Sequence, residues 1–384
     1  MENVEIKPKL IHWALKRSGL SVSLLKKDFP KLEGWEREGG PKPTFKQLER
    51  FAKKTYTPLG YFFLSEPPED RLPIPDFRTV SSGAVNQPSP DLLETVQTMQ
   101  RRQAWMREFL IEQGEEPIGF VGSVSLGNNP VETANRIREA LKLNDGWAAN
   151  ILTWTGALGV LRIAIEEAKI LTVFNGVVGN NTHRKLNVEE FRGFILADKY
   201  APLIFVNGSD AKAAQMFTLA HELAHLWLGE GGVFNFRQLQ PADNDVERFC
   251  DKVAAEFLVP AQLFLAQWKK SMGFAESFQK AARQFKVSPL VAARRALDLK
   301  FISKEAFFKF YESYMREHRE KHKKTTGGDF FATQGVRIGK RFALAVLSAA
   351  KEGRLLYRDA YQLTGLFGST FDKYAKTLGA QAKA

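Results

Sequence analysis

Apolar positions recur every three to four residues along most of the chain, a spacing that predicts a mainly helical protein. In the first 64 residues the helical pattern is broken into short pieces, and Thr44 is placed to cap one of them. Longer helices are predicted over 91–112, 131–142 and 147–168. From residue 210 the pattern is helical almost to the end, with a late loop expected at 321–328.

Three short apolar runs interrupt the helical pattern in the middle of the chain. They cover 170–174, 193–198 and 202–207, and each has the length and composition of a buried strand. Residues 199–201 between the last two suit a hairpin turn. The pattern as a whole predicts an α+β fold that is mostly α.

Length and composition indicate an ordinary globular protein of two or three domains. The chain has 384 residues, of which 44% are hydrophobic and 26% charged. Six prolines between residues 67 and 90 predict a linker or an irregular strap. A single cysteine, the lack of a membrane-length apolar run and an N-terminus unlike a secretion signal lead us to expect a cytoplasmic protein without membrane contact.

Positive charge is concentrated near the C-terminus. The chain has a net charge of +12, and residues 281–384 contain 12 Lys and 9 Arg against 9 acidic residues. This surplus is compatible with an acidic partner, either nucleic acid or protein, and equally with a well-solvated helical surface.

The strongest chemical signal is a His-Glu-x-x-His motif in the apolar segment 216–229. His221 and His225 are four residues apart, so on a helix both imidazoles project from one face and can bind one zinc ion. Glu222 is then placed to take a proton from a zinc-bound water. Ser209 or Asp210 is a candidate N-cap of this helix, and Gly229 is a natural C-terminal stop.

A third zinc ligand is expected from the next helix, predicted over 243–258. Glu247 and Asp251 lie four apart on one flank of its apolar stripe. We expect Glu247 to complete the zinc site and Asp251 to accept a hydrogen bond from the far nitrogen of a ligand histidine. The alternative is a solvated acidic face, for which Asp243, Asp245 and Glu256 are better candidates. Cys250 occupies the apolar stripe, so a packing role is favoured over a ligand role.

These residues resemble the ImmA/IrrE family of zinc metallopeptidases. The resemblance is carried by 217–226, by Glu247 with 251–260, and by 191–194, and it covers roughly residues 150–265. It implies a small gluzincin-like peptidase domain with a short antiparallel sheet packed on two zinc helices. It also implies His221, His225 and Glu247 as zinc ligands and Glu222 as the catalytic base. The chain departs from the family pattern by Ala224 where glycine is usual, and by Cys250 and Asp251 where alanine and asparagine are common.

The segment before the linker resembles the Xre-type helix-turn-helix that often precedes this peptidase. The similarity lies in Leu20-Ser21, Trp35-Glu36, Pro43-Thr44 and Gln47-Leu48. Ser21 and Trp35 are only 14 positions apart, however, and the missing residues fall where the recognition helix should lie. We therefore interpret this domain as degenerate and favour an interaction or packing role over sequence-specific DNA binding.

The tail resembles the extended C-terminal region of longer family members through 288–297 and 339–342. This similarity implies recognition of a substrate or partner. Within it, Arg294 and Arg295 are candidates for contact with phosphate, and equally for solvating a helix.

The predicted organisation has four parts. A degenerate Xre-like domain covers 1–66, a linker 67–90, a zinc metallopeptidase domain 91–265 and a basic helical recognition region 266–384. The predicted function is a Zn²⁺-dependent endopeptidase that cleaves a regulatory protein, with a DNA-binding repressor as the substrate that the family implies.

The rival hypothesis is an antitoxin or transcriptional regulator that binds a toxin, a repressor or DNA and keeps a structural or vestigial zinc site. For the peptidase, the candidates for stabilising the oxyanion are His183, Arg192 and Tyr200, which precede the zinc helix.

Overall fold

A computed structural model describes residues 3–69, 71–75, 87–234, 245–268, 273–319 and 330–381. Their contacts divide them into two compact units: residues up to Pro73 with 87–97, and residues from Thr98 onward with Ile74 and Pro75. The predicted division at 66, 90 and 265 stays a prediction. The late loop expected at 321–328 and much of the Pro-rich segment lie outside the described residues.

The first unit is built from short helices around an aromatic core. Its helices are α1 (Pro8–Ser18), α2 (Val22–Leu25), α3 (Leu32–Trp35) and α4 (Phe45–Lys54), followed by a 3₁₀ helix (Leu59–Phe63). Thr44 caps α4 as expected, in a reciprocal capping box with Gln47. Trp35, Phe51 and Phe62 are buried in the core. Both α2 and α3 are only four residues long, which is short for a helix that places several side chains on base edges.

The second unit combines a small sheet with many helices. The helix α5 covers Pro90–Glu112; its residues up to Gln97 are assigned to the first unit and those from Thr98 to the second. The strands are β1 (Leu171–Asn175), β2 (Val177–Val178), β3 (Asn181–Lys185), β4 (Gly193–Leu196), β5 (Leu203–Asn207) and β6 (Gly232–Phe234). The helices are α6 (Pro130–Ala140), α7 (Trp154–Glu167), α8 (Lys212–Leu228), α9 (Asp245–Leu258), α10 (Ala261–Gln267), α11 (Phe274–Phe285), α12 (Pro289–Asp298), α13 (Lys304–Arg319), α14 (Phe330–Ile338), α15 (Lys340–Lys351), α16 (Tyr357–Thr364) and α17 (Ser369–Gln381). The predicted α+β fold that is mostly α is confirmed.

The larger sheet is mixed, so the expectation of a purely antiparallel sheet was wrong. Its strand order is β1-β5-β4-β6. The hairpin between β4 and β5 is antiparallel as predicted, with Leu196 opposite Leu203, but β1 pairs with β5 in parallel. Every residue of β1 and β5 is buried, and strands covered on both faces favour such parallel pairing. The short β2–β3 hairpin forms a separate sheet.

The helix α8 packs against β4 and β5, and one of its two expected caps is present. Gly229 ends it in the left-handed conformation, as predicted. The N-cap residue is Ala211 and offers no side-chain cap, so the expectation for Ser209 or Asp210 was wrong. The carboxylate of Asp210 instead accepts a hydrogen bond from Arg192, 3.0 Å away. The strand β6 also interrupts the helical run that was expected from residue 210 onward.

No helix among the described residues is both long enough and apolar enough to cross a membrane.

Candidate metal centre

Two histidines of α8 meet inside the second unit. His221 and His225 are both completely buried, and their Nε2 atoms lie 2.8 Å apart. The four-residue spacing on a helix places the two rings one above the other. An apolar helix therefore directs two nitrogen ligands to a single point.

The helix α9 packs closely against α8 and brings Glu247 to the same point. Its Oε2 lies 3.2 Å from Nε2 of His221, and its Oε1 lies 3.3 Å from Nε2 of His225. Histidine nitrogens and carboxylate oxygens bind zinc at about 2.0–2.2 Å, so neighbouring ligands of a tetrahedral ion lie roughly 3.3 Å apart. The three side chains therefore fit a metal ion of this size, and among the described residues they form the group able to hold one.

Asp251 lies one turn beyond Glu247 and contacts the other nitrogen of His221. Its Oδ1 is 3.1 Å from Nδ1 of His221. Because an ionised carboxylate only accepts hydrogen bonds, this contact places a proton on Nδ1, so Nε2 is the nitrogen that would bind a metal.

The electrostatics of the cluster favour a cation between the side chains. Burial alone would lower the pKa of His221, but hydrogen bonds and charge from Asp251 and Glu247 raise that pKa to about 10. Burial would raise the pKa of Glu247, yet the two histidines hold it at about 2. Burial lowers the pKa of His225 to about 4. The acidic groups thus favour a positive charge at His221, whereas burial keeps His225 neutral. A divalent cation supplies the positive charge and binds a neutral imidazole, so it fits both histidines.

Glu222 carries a buried carboxylate next to the metal-binding cluster. The residue is completely buried, and neither oxygen is hydrogen-bonded to any described residue. Burial raises the pKa of Glu222 well above its usual range. A buried and unsatisfied carboxyl costs free energy, on the order of 1–3 kcal/mol or more. A water or metal ion at this place would offset that cost, which is a second sign that the residues fit a metal centre.

Residues 165–297 match the IrrE N-terminal-like domain, Peptidase_M78. The match includes all five site residues and supports the ImmA/IrrE family for this part of the chain. It extends beyond the predicted end of the peptidase domain at residue 265, through α11 and α12. A second match, to a domain of unknown function (DUF8813), covers residues 338–377. No curated protein matched the chain, and the Xre-like character of the first unit stays a prediction.

Cys250 lies in the hydrophobic core, as its place in the apolar stripe predicts. Its side chain is completely buried, and burial raises the pKa of the thiol. The thiolate is the form that binds metal, so a raised pKa disfavours a ligand role. Packing is the role that the contacts support.

The three candidates for oxyanion stabilisation have other surroundings. His183 is exposed on β3, and Arg192 forms an ion pair with Asp210. The guanidinium of Arg107 lies 5.7 Å from the ring centroid of Tyr200. The contacts of the described residues therefore add no support for an oxyanion role.

Arg294 and Arg295 of α12 differ sharply in their environments. Arg295 is buried and forms an ion pair with Glu256 of α9, and its Nε donates to the carbonyl of Val259 at 2.9 Å. Arg294 pairs with Asp298 on its own helix, 3.0 Å away. For Arg295, both expected roles, phosphate contact and solvation of a helix, were therefore wrong. Glu256, expected to be solvated, is also buried.

Sequence reasoning missed the loop that packs on the C-terminal end of α8. The amides of Gly122 and Val124 donate to the carbonyls of Leu226 and Trp227, at 3.1 and 3.0 Å. Phe120 stacks on Trp227 with ring centroids 4.2 Å apart. These bonds satisfy carbonyls that a helix end leaves open. Little in the sequence links this loop to α8, which begins some 90 residues later.

Proposed function

We propose that this chain is a zinc-dependent endopeptidase that cleaves a regulatory protein, with a DNA-binding repressor as the substrate implied by the family. The observation that carries the proposal is the combination of three convergent metal-binding side chains with a separate buried carboxyl. His221, His225 and Glu247 fit a zinc ion, and Glu222 follows the first of them directly. The match to a peptidase domain over the same residues supports this function.

Each side chain has a distinct role in the proposed reaction. A bound zinc ion would polarise the scissile carbonyl and lower the pKa of the attacking water. Glu222 accepts the proton of that water on its carboxylate and then delivers it to the leaving amine nitrogen. The raised pKa of Glu222 suits a group that must hold this proton between the two steps. Asp251 holds His221 in the tautomer that binds metal through Nε2.

The rival function is a binding protein with a structural or vestigial zinc site. Such a site needs ligands, but it does not need a further, completely buried carboxyl that no described residue hydrogen-bonds. Burying Glu222 without a hydrogen-bond partner is destabilising unless the group acts on something brought to the site. The observation therefore favours catalysis over a purely structural metal.

Metal content and substrate trapping test the proposal together. We expect the protein purified without chelator to contain about one zinc ion per chain, as a site with three protein ligands predicts. The Glu222→Gln variant should keep that zinc and fail to cleave the substrate. It should therefore co-purify with an intact partner protein, which the wild type cleaves and releases. Glu167→Gln, on an exposed position of α7, is the matched control and should behave as the wild type. Absence of zinc would refute the metal site, and cleavage by Glu222→Gln would remove this residue from the mechanism.

A further inference from the structure

A cavity of about 390 Å³ is lined by Asp251, the residue that contacts Nδ1 of His221. Phe217 and Asp251 line the cavity and also contact His221 of the metal centre. Asp251 is hydrogen-bonded to His221, and the ring centroid of Phe217 lies 6.4 Å from that of His221. The other walls come from α9, α12 and the start of α6. Its volume is at the lower end of the range for ligand pockets, about 300–1,000 Å³.

One part of the cavity wall is apolar. It is formed by Val131, Phe217, Ala255 and Val291, together with the ring of Pro130. Val131 is 45% exposed at the mouth, whereas Ala255 and Val291 are buried. This wall can pack against the aliphatic part of a bound side chain.

The carboxylates that line the cavity are already engaged. Asp251 accepts from His221, and Asp298 pairs with Arg294. Glu256 pairs with Arg295 and also accepts from the backbone amide of Ala261. None of these acidic groups is therefore set up to receive a basic ligand.

One lysine in the cavity lining differs from these acidic groups. Lys252 is exposed and forms no ion pair with any described residue. Arg248, one turn earlier on α9, is already paired with Asp245. The cavity thus presents an apolar wall and one exposed cation, and its carboxylates are engaged.

We propose that this cavity binds an acidic side chain of the polypeptide that the metal centre cleaves, with Lys252 as its main charged contact. The carboxylate of a glutamate would meet Lys252, while its methylene groups would lie on Phe217 and Val131. A peptide suits the site better than nucleic acid, because the cavity is compact and one wall is apolar, whereas nucleic-acid sites contact many phosphates. The inference rests on the proposed peptidase function and deepens it by naming a class of substrate sequence.

Peptide binding to the full-length Glu222→Gln protein tests the proposal without requiring cleavage. The probes are a labelled hexapeptide of alternating leucine and glutamate and its counterpart with glutamine, compared by fluorescence anisotropy. We expect the glutamate peptide to bind about five- to tenfold more tightly, as a partly desolvated charge contact predicts. Adding Lys252→Glu should remove this preference, and Val131→Trp should weaken both peptides by filling the mouth of the cavity. Lys309→Glu on α13, which makes the same charge change outside the cavity lining, should have no effect.

Three results would overturn the proposal. The first is equal binding of the two peptides or no saturable binding, and the second is an equal loss in Lys252→Glu and Lys309→Glu. The third is full competition by inorganic phosphate with no effect of Val131→Trp, which would show a small-anion site instead of a peptide site. If the peptides bind as expected but the wild-type protein contains no zinc and cleaves no partner protein, the peptidase function is refuted and the recognition site remains.

Discussion

Gly193 of β4 lies against the carboxylate of Glu222 on α8. A Cβ atom added to Gly193 would come within 3.0 Å of Oε1 of Glu222 and 2.6 Å of Cγ2 of Thr218. It would also lie 2.9 Å from the carbonyl oxygen of Phe205, which is backbone and cannot rotate away. The glycine therefore lets α8 approach the sheet closely enough to hold Glu222 in place.

Replacing this glycine should disturb both stability and the site. We expect Gly193→Ala to lower the free energy of unfolding by about 1–3 kcal/mol, the usual cost of overpacking a dense core. Urea denaturation of the metal-loaded protein measures the change. The control is Gly159→Ala in α7, where an added Cβ meets no atom within 4 Å. That variant should be as stable as the wild type or slightly more stable, and equal stability of Gly193→Ala would show that the contact is not tight.

Asp251→Ala should weaken metal binding without unfolding the protein. The methyl side chain cannot accept a hydrogen bond from Nδ1 of His221, so the ring loses the contact that fixes its tautomer. Loss of such an outer contact typically costs about 10–100-fold in metal affinity. Competition with a chromophoric chelator gives the zinc affinity, and Asp245→Ala on the same helix should leave it unchanged. A wild-type affinity for Asp251→Ala would refute the positioning role.

Arg102 is expected to stabilise the C-terminal helices, because its buried guanidinium donates to three backbone carbonyls. Nε donates to Leu363 at 2.8 Å and Nη1 to Arg337 at 3.1 Å, with a longer bond to Thr364. Arg102→Ala should therefore cost about 2–5 kcal/mol, because the substitution leaves these carbonyls buried without partners. Chemical denaturation and hydrogen exchange over α14–α16 measure the effect. Arg101→Ala, at the exposed neighbouring position, should change stability by less than about 0.5 kcal/mol, and similar effects of the two would contradict this view.

The neighbouring arginines of α12 provide a second matched pair. Arg295→Ala would leave the Glu256 carboxylate buried without its cation, at a cost of about 3–5 kcal/mol. Arg294→Ala removes a partly exposed ion pair, worth at most about 1 kcal/mol. The difference between the two denaturation midpoints checks the prediction. A larger loss for Arg294→Ala would mean that Arg295 is not the residue that joins α12 to α9.

The metal cluster was unusually accessible to sequence reasoning, because its geometry is largely local. His221 and His225 are brought together by the helical repeat alone, and Glu247 and Asp251 share one flank of the next helix for the same reason. Once α8 and α9 pack along their apolar stripes, the four side chains are brought close together. Their roles as ligands and orienting groups stay predictions, while their proximity is now a structural observation.

The sequence by itself determined most of the helices, the β4–β5 hairpin and the placement of His221 and His225 on one helical face, since helical and strand periodicity depend on neighbouring residues. Only the tertiary structure decided the parallel pairing of β1 with β5, the burial of Arg295 against Glu256 and the cavity beside Asp251. Each of these features joins segments that are tens of residues apart in the sequence. The local spacing of residues does not indicate which distant segment a strand or side chain contacts. The physical reason is that burial and charge pairing are properties of packed surfaces, which exist only after the chain has folded.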